Sequence, residues 1–162
     1  QPGSTFKPLV YAGAFQRGVS PATVLYDVPM KVGTYEPQNF DGQFWGLMNI
    51  RRALAASRNI PAIKAYFLAG EEDGILSLAA QMGAPTPLRL KPAAGYGPVL
   101  AIGAAETPLT EMVQAFSVFA NRGDSAPLHI IHRPPVALAQ RRRQFTAREP
   151  IASRHPFERP AA

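Results

Sequence analysis

Gln1-Pro2-Gly3-Ser4-Thr5-Phe6-Lys7-Pro8 sets a serine three residues before a lysine and runs directly into the apolar pair Leu9-Val10. Three residues are about one helical turn, so Ser4 and Lys7 share a face if the segment is helical. A hydroxyl becomes a useful nucleophile when a neighbouring base takes its proton, and a neutral amine one turn away is such a base. Lysine is neutral near pH 7 only when desolvation or nearby positive charge lowers its pKa. Phe6, Leu9 and Val10 supply the apolar surroundings. Pro2-Gly3 marks a turn that places Ser4 in the first helical turn, where free N–H groups favour developing negative charge. Pro8 cannot donate to the carbonyl of Ser4, which predicts a bend there. By itself the Ser-x-x-Lys pattern also fits a polar helix face, so the rest of the chain has to decide.

The 162 residues suffice for one domain with a buried core, and no run of about 18 apolar residues predicts a membrane span. The chain opens on Gln1 rather than Met and reads as a piece of a longer protein, with targeting segments expected upstream. Cysteine is absent, which removes disulfides and thiolate metal sites. The formal charge of +6 is unevenly spread: residues 1–123 hold ten Lys+Arg against eight Asp+Glu, and residues 124–162 hold seven Arg against three acids. That basic tail lacks the aromatic interleaving that stacks bases, so nucleic acid is not an expected partner.

Helical periodicity predicts a first helix from Ser4 to Arg17, stopped by Gly18 and buried on most sides. Ser20-Pro21-Ala22-Thr23 reads as a cap opening a short helix, and Leu25 to Val32 as extended sequence interrupted by Pro29. Tyr35 to Gly42 is a turn-rich loop, either plain surface or one wall of a groove. Asn49 caps a second helix ending near Ser57. A third starts around Ile60-Pro61, with Ile63, Phe67 and Leu68 inward and Gly70 as its stop. Glu71-Glu72-Asp73 load the start of a fourth, which ends at Gly83. Residues 84–98 read as a connection. Thr107-Pro108 opens a last helix with Leu109, Met112, Val113, Phe116 and Phe119 on its buried face. Beyond Gly123 the text turns Arg- and Pro-rich, and residues 124–162 read as a disordered or aberrant tail. His129, His132 and His155 fall there without a carboxylate or thiol cluster, so no metal site is expected.

Ser57-Arg58-Asn59 joins the second and third predicted helices. A serine and an asparagine two apart in an extended or turning segment point the same way. Ser57 is then able to pass a proton toward the Ser4–Lys7 pair, and Asn59 to accept from Lys7 while donating to a substrate carbonyl. The same residues also serve as ordinary caps in a turn between helices.

The two motifs together, Pro2-Gly3-Ser4-Thr5-Phe6-Lys7-Pro8 and, fifty residues later, Ser57-Arg58-Asn59-Ile60-Pro61-Ala62, resemble the penicillin-binding transpeptidases. Tyr35 to Gly42, Ile50 to Leu54, Gly103 to Leu109 and Ala115 to Gly123 resemble the bifunctional, high-molecular-weight branch. The resemblance covers residues 1–123, a partial transpeptidase domain. It implies an α/β serine-acyl-transferase fold of the penicillin-binding/β-lactamase-like kind, of which this stretch is mostly the α-helical part, its sheet largely missing. Without that sheet, the first helix is expected to lose cover and expose apolar surface.

The resemblance also implies roles: Ser4 as nucleophile, Lys7 as general base, Ser57 as proton relay, and Asn59 as the residue that binds substrate amide and holds Lys7. It implies peptidoglycan stem peptides as substrates, β-lactams as inhibitors, and no cofactor. It further implies work on the outer face of the bacterial cytoplasmic membrane, through an anchor and a glycosyltransferase domain upstream. The family's Lys-Thr-Gly segment does not occur in the sequence. Two related activities share the motifs. One is a β-lactamase-like serine hydrolase, for which Glu106 is the acidic candidate. The other is a penicillin-sensing module that acylates and stops.

Overall fold

The computed structural model describes residues 1–128. Most of the tail, with His129, His132 and His155, therefore lies outside the described residues.

The chain starts with a single 3₁₀ turn over Gly3–Phe6 and passes at Lys7 into helix α1 (Lys7–Gln16). The expected bend at Pro8 takes this form. Proline has no N–H for the Ser4 carbonyl, so that carbonyl accepts from Lys7 N–H in the tighter i to i+3 pattern. α1 is the centre of the molecule. Phe6, Leu9, Val10, Tyr11 and Ala14 are fully buried, and α1 packs against α3 (Asn59–Leu68), α4 (Glu71–Gln81) and a second 3₁₀ segment over Gly97–Ile102. The expected exposure of α1 is not found, because these other elements surround it. Gly13 and Ala14 leave no bulk between α1 and the end of α3. A Cβ at Gly13 would already stand 3.2 Å from the Ala69 Cβ.

Ser20 to Thr23 forms a turn instead of a helix: Thr23 N–H donates to Ser20 O (2.9 Å) and Ser20 N–H to Thr23 Oγ1 (3.1 Å). The turn feeds β1 (Val24–Asp27), which pairs antiparallel with β2 (Gly46–Asn49) in the register Val24–Asn49 to Asp27–Gly46. This two-stranded ribbon is the only sheet among the described residues. Side chains alternate along β1, so Leu25 enters the core and Asp27 is carried inward with it. Asn49 ends β2 and caps α2 (Ile50–Ala55), its Oδ1 accepting from Arg52 N–H at 2.9 Å.

The stretch 84–98 is more than a connection. Thr86–Arg89 forms the short helix α5, held by Glu111, whose carboxylate accepts from Thr86 N–H (2.9 Å) and Thr86 Oγ1 (2.6 Å). Two helices bury only part of the face expected, Ile63 in one and Met112 in the other. In α3 the inward residues are Ile60, Ile63 and Tyr66, while Phe67 and Leu68 stay partly exposed. In α6 (Leu109–Ala120) Met112, Ala115 and Val118 face the core, and Leu109, Val113, Phe116 and Phe119 lie outward. No helix among the described residues is long and apolar enough to cross a membrane.

Candidate active site

Lys7 is the most informative side chain of the site, since a long cationic residue is rarely buried without partners. It is 1% exposed. Its Nζ donates to Ser57 O at 2.5 Å, Asn59 Oδ1 at 2.7 Å and Ser57 Oγ at 3.1 Å. Burial, and secondarily the positive charge of Arg58, lowers its pKa to about 8. Two of the three acceptors, a carbonyl and a carboxamide oxygen, can only take a proton. The third is a hydroxyl, which can also give one. When Lys7 is neutral it keeps two N–H groups for Ser57 O and Asn59 Oδ1, and its lone pair is left for a hydroxyl.

Ser4 is exposed and lines a cleft of about 410 Å³ together with Ser57 and Asn59. Ser4 Oγ is not among the partners of Lys7 Nζ. Such contacts commonly tighten only once substrate is bound. All four residues predicted for the site thus border one region: Ser4, Ser57 and Asn59 line the cleft, and Lys7 sits behind it on the latter two. Glu106 is exposed and is not among the cleft-lining residues.

Ser57 and Asn59 reach Lys7 by a different route from strand-like alternation. Ser57 adopts the left-handed conformation, φ 53, which costs a residue with a side chain about 1–2 kcal/mol. It presents both its carbonyl and its hydroxyl to the amine. Asn59 is the first residue of α3. Its Nδ2 donates to Gln38 O at 2.8 Å, so one of its two amide hydrogens is already engaged.

The loop between β1 and β2 is one wall of this cleft, contributing Asn39, Phe40, Asp41 and Trp45. Sequence reasoning did not pick out what fastens it. Arg58 donates from Nε to Asp27 Oδ2 (2.8 Å) and from Nη1 to Asp41 Oδ2 (2.8 Å), and also donates to Gln43 O. Its guanidinium lies 4.3 Å from the ring centre of Trp45. The bond from Arg58 holds the Asp41 carboxyl below the usual carboxylate range. Asn39 joins the loop to α3: Oδ1 accepts from Asn59 N–H (2.8 Å), and Nδ2 donates to Asp27 Oδ1 (2.7 Å). The available signals were the inward position of Asp27 on an alternating strand and the arginine inside Ser57-Arg58-Asn59.

Among known proteins, the family model described as the penicillin binding protein transpeptidase domain matches residues 1–149. Penicillin-binding protein 1C of Escherichia coli (strain K12) is 36% identical over 131 residues, 80% of this chain and 16% of that protein. The crystal structure of penicillin-binding protein 1A from Haemophilus influenzae superposes with a TM-score of 0.62 at 36% identity, over 74% of this chain and 18% of that one. The structure of PonA1 from Mycobacterium tuberculosis in complex with penicillin V gives a TM-score of 0.71 at 24% identity, over 78% of this chain and 36% of that one, a likeness of fold. The chain spans 16–17% of the length of the curated relatives it matches. With its Ser-x-x-Lys and Ser-x-Asn segments brought together at one cleft, and with this match along its length, the chain belongs to the penicillin binding protein transpeptidase domain family.

Proposed function

We propose that this chain carries the nucleophile-bearing part of a serine DD-transpeptidase that cross-links peptidoglycan, and that β-lactams acylate the same serine. The observation that carries the reading is the buried Lys7 amine. It is held by Ser57 and Asn59, has a pKa lowered to about 8, and sits one turn from the exposed Ser4. A pKa near 8 leaves about a tenth of the lysine neutral at pH 7, enough to serve as a base.

In the proposed reaction, Ser4 Oγ attacks the carbonyl carbon of the penultimate D-alanine of a stem peptide, and its proton passes to Lys7 Nζ. The bond to the terminal D-alanine then breaks. The leaving amine takes the proton from Lys7 through the Ser57 hydroxyl, whose contact at 3.1 Å is the one able to run in either direction. Asn59 keeps Lys7 in place and offers its remaining amide hydrogen to the substrate. An amine from a second stem peptide displaces Ser4 from the ester, which forms the cross-link and restores the hydroxyl. The backbone N–H of Ser4 supplies one half of an oxyanion hole. This chemistry would take place on the outer face of the bacterial cytoplasmic membrane, where peptidoglycan precursors and penicillins meet the enzyme.

The test is covalent labelling of the full-length protein with fluorescent penicillin. Labelling mapped to Ser4 and abolished by Ser4→Ala is expected; wild-type labelling in Ser4→Ala would remove Ser4 from the role. Rapid release of the label as hydrolysed drug would instead indicate a lactamase.

A further inference from the structure

The hydrogen bonds that shape the cleft converge on one buried carboxylate that takes no part in the proposed reaction. Asp27 is fully buried at the end of β1. Its two oxygens receive three donors, two from the loop wall and one from the turn before α3. Oδ1 accepts from Asn39 Nδ2 at 2.7 Å; Oδ2 accepts from Arg58 Nε at 2.8 Å and from Trp45 N–H at 3.1 Å. These donors are the middle of the loop wall, its far end, and the residue between Ser57 and Asn59.

Asn39 is where polarity matters. A carboxamide has a donor end and an acceptor end, and its neighbours decide which way it faces. Asp27 Oδ1 can only accept, so Asn39 turns its Nδ2 toward it and also toward Gln43 O at 2.9 Å. The Oδ1 end is then left for the first amides of α3, Asn59 N–H at 2.8 Å and Ile60 N–H at 3.4 Å. No side chain of the residue preceding α3 caps it, so Asn39 does so from another segment. If Asn39 were reversed, its NH₂ would confront those N–H groups and the start of α3 would shift, taking Asn59 with it. Asn59 Oδ1 is one of the acceptors that fix Lys7.

We propose that Asp27 is a positioning residue of this site: through Asn39 it sets the start of α3 and Asn59, and through Arg58 it sets the turn at Ser57. The proposal rests on the acyl-transfer reading of Ser4 and Lys7. A buried carboxylate–guanidinium pair is a poor source of net stability, because desolvation offsets its attraction. Its contribution here is one arrangement of the loop wall and of the two residues that hold the base.

The experiment measures penicillin acylation of the full-length protein, separated into the dissociation constant of the initial complex and the acylation rate constant. D27N keeps shape and burial, but puts an NH₂ where either Asn39 or Arg58 already donates. It is expected to lower the acylation rate constant about 10- to 100-fold, the effect of sub-ångström misplacement of a reacting group, and to leave the dissociation constant nearly unchanged. The exchange D27N/N39D reverses the donor and acceptor between positions 27 and 39. It puts a carboxylate at the N-terminus of α3, where it is favoured, but turns one oxygen toward Gln43 O in place of an N–H, so it should recover part of the loss, about threefold or more.

A D27N as fast as the wild type, or a loss that the exchange fails to recover, would overturn the proposal. If D27N does not fold, the exchange protein decides: acylation within about thirtyfold of wild type supports the coupling, and a larger loss or failure to fold overturns it. Wild-type protein that does not label at Ser4 would sink the acyl-transfer reading itself. Wild type that labels at Ser4 beside an unrecovered D27N sinks only the role of Asp27.

Discussion

Lys7 Nζ has three partners, and an ammonium has three hydrogens, so the protonated amine is satisfied where it stands. Deprotonation leaves the two shorter bonds intact and converts only the contact with the Ser57 hydroxyl. The cation is therefore well bonded but desolvated, and desolvation is the larger influence on its pKa. The proposed base acts in its neutral form, so acylation should rise with pH and level off above about 8. Lys7→Ala should flatten that profile and slow acylation on the order of 10²–10⁴-fold, the usual worth of a positioned base. A stopped-flow pH series on both proteins checks this; an unchanged profile in Lys7→Ala would take Lys7 out of the role. Stability follows the same sign. From about pH 8 up to the ordinary lysine value of 10.5, the unfolded chain holds this proton more readily than the folded one. Stability from Lys7 alone therefore increases with pH through that window, and its cost is fully present below about pH 8.

At the scale of elements, the turn that carries Ser4 is pinned by a distant segment. Gly3 N–H donates to Gly103 O at 3.3 Å, and Gly103, with φ 81, ends the second 3₁₀ segment. A Cβ on Gly103 would stand 2.1 Å from Gly3 O, a collision with backbone that no rotamer relieves. Gly103→Ala should destabilise the protein by about 2 kcal/mol or more and depress Ser4 labelling in the fraction that stays folded. Thermal melts and labelling of the soluble protein measure the two effects. Elements whose signals are local were legible in the sequence: α1 with its stop at Gly18, α2 with its cap at Asn49, and the acidic start of α4 after Gly70. Elements made by distant partners were not. α5 takes its cap from Glu111, and β2 exists because β1 pairs with it. On α6 both sides are apolar, so periodicity could not say which side the core would take. The same limit applied to the site. Ser4, Lys7, Ser57 and Asn59 could be named from two short motifs, but the Asp27–Asn39–Arg58 network joins three segments and has no spacing to read.

Across the whole molecule, α1 runs through the middle of the helices, and this sets what a polypeptide of residues 1–162 can do alone. Its lysine stays buried without further sheet cover. The sequence contains no Lys-Thr-Gly, the family segment expected to grip the substrate carboxylate, and the proposed mechanism draws only one oxyanion donor from it. Such a polypeptide should label with fluorescent penicillin at least about 10²-fold more slowly than the full-length protein, the effect of losing one oxyanion donor. Because Lys7 keeps its environment, the slow labelling should retain a pH midpoint near 8. Labelling as fast as the full-length control, or a midpoint above 10, would contradict this account.

The link from Gly3 to Gly103 also bears on when the site comes into being. Ser4 is made before Gly103, which pins its turn through Gly3, and before Ser57 and Asn59, which hold Lys7. A nascent polypeptide folds as its segments emerge, and contacts of long sequence separation close last. During synthesis the serine is an ordinary hydroxyl beside a hydrated ammonium. On the proposed reading it becomes an acylable group only after Gly103 has left the ribosome, so penicillin would capture a finished site but not a growing chain.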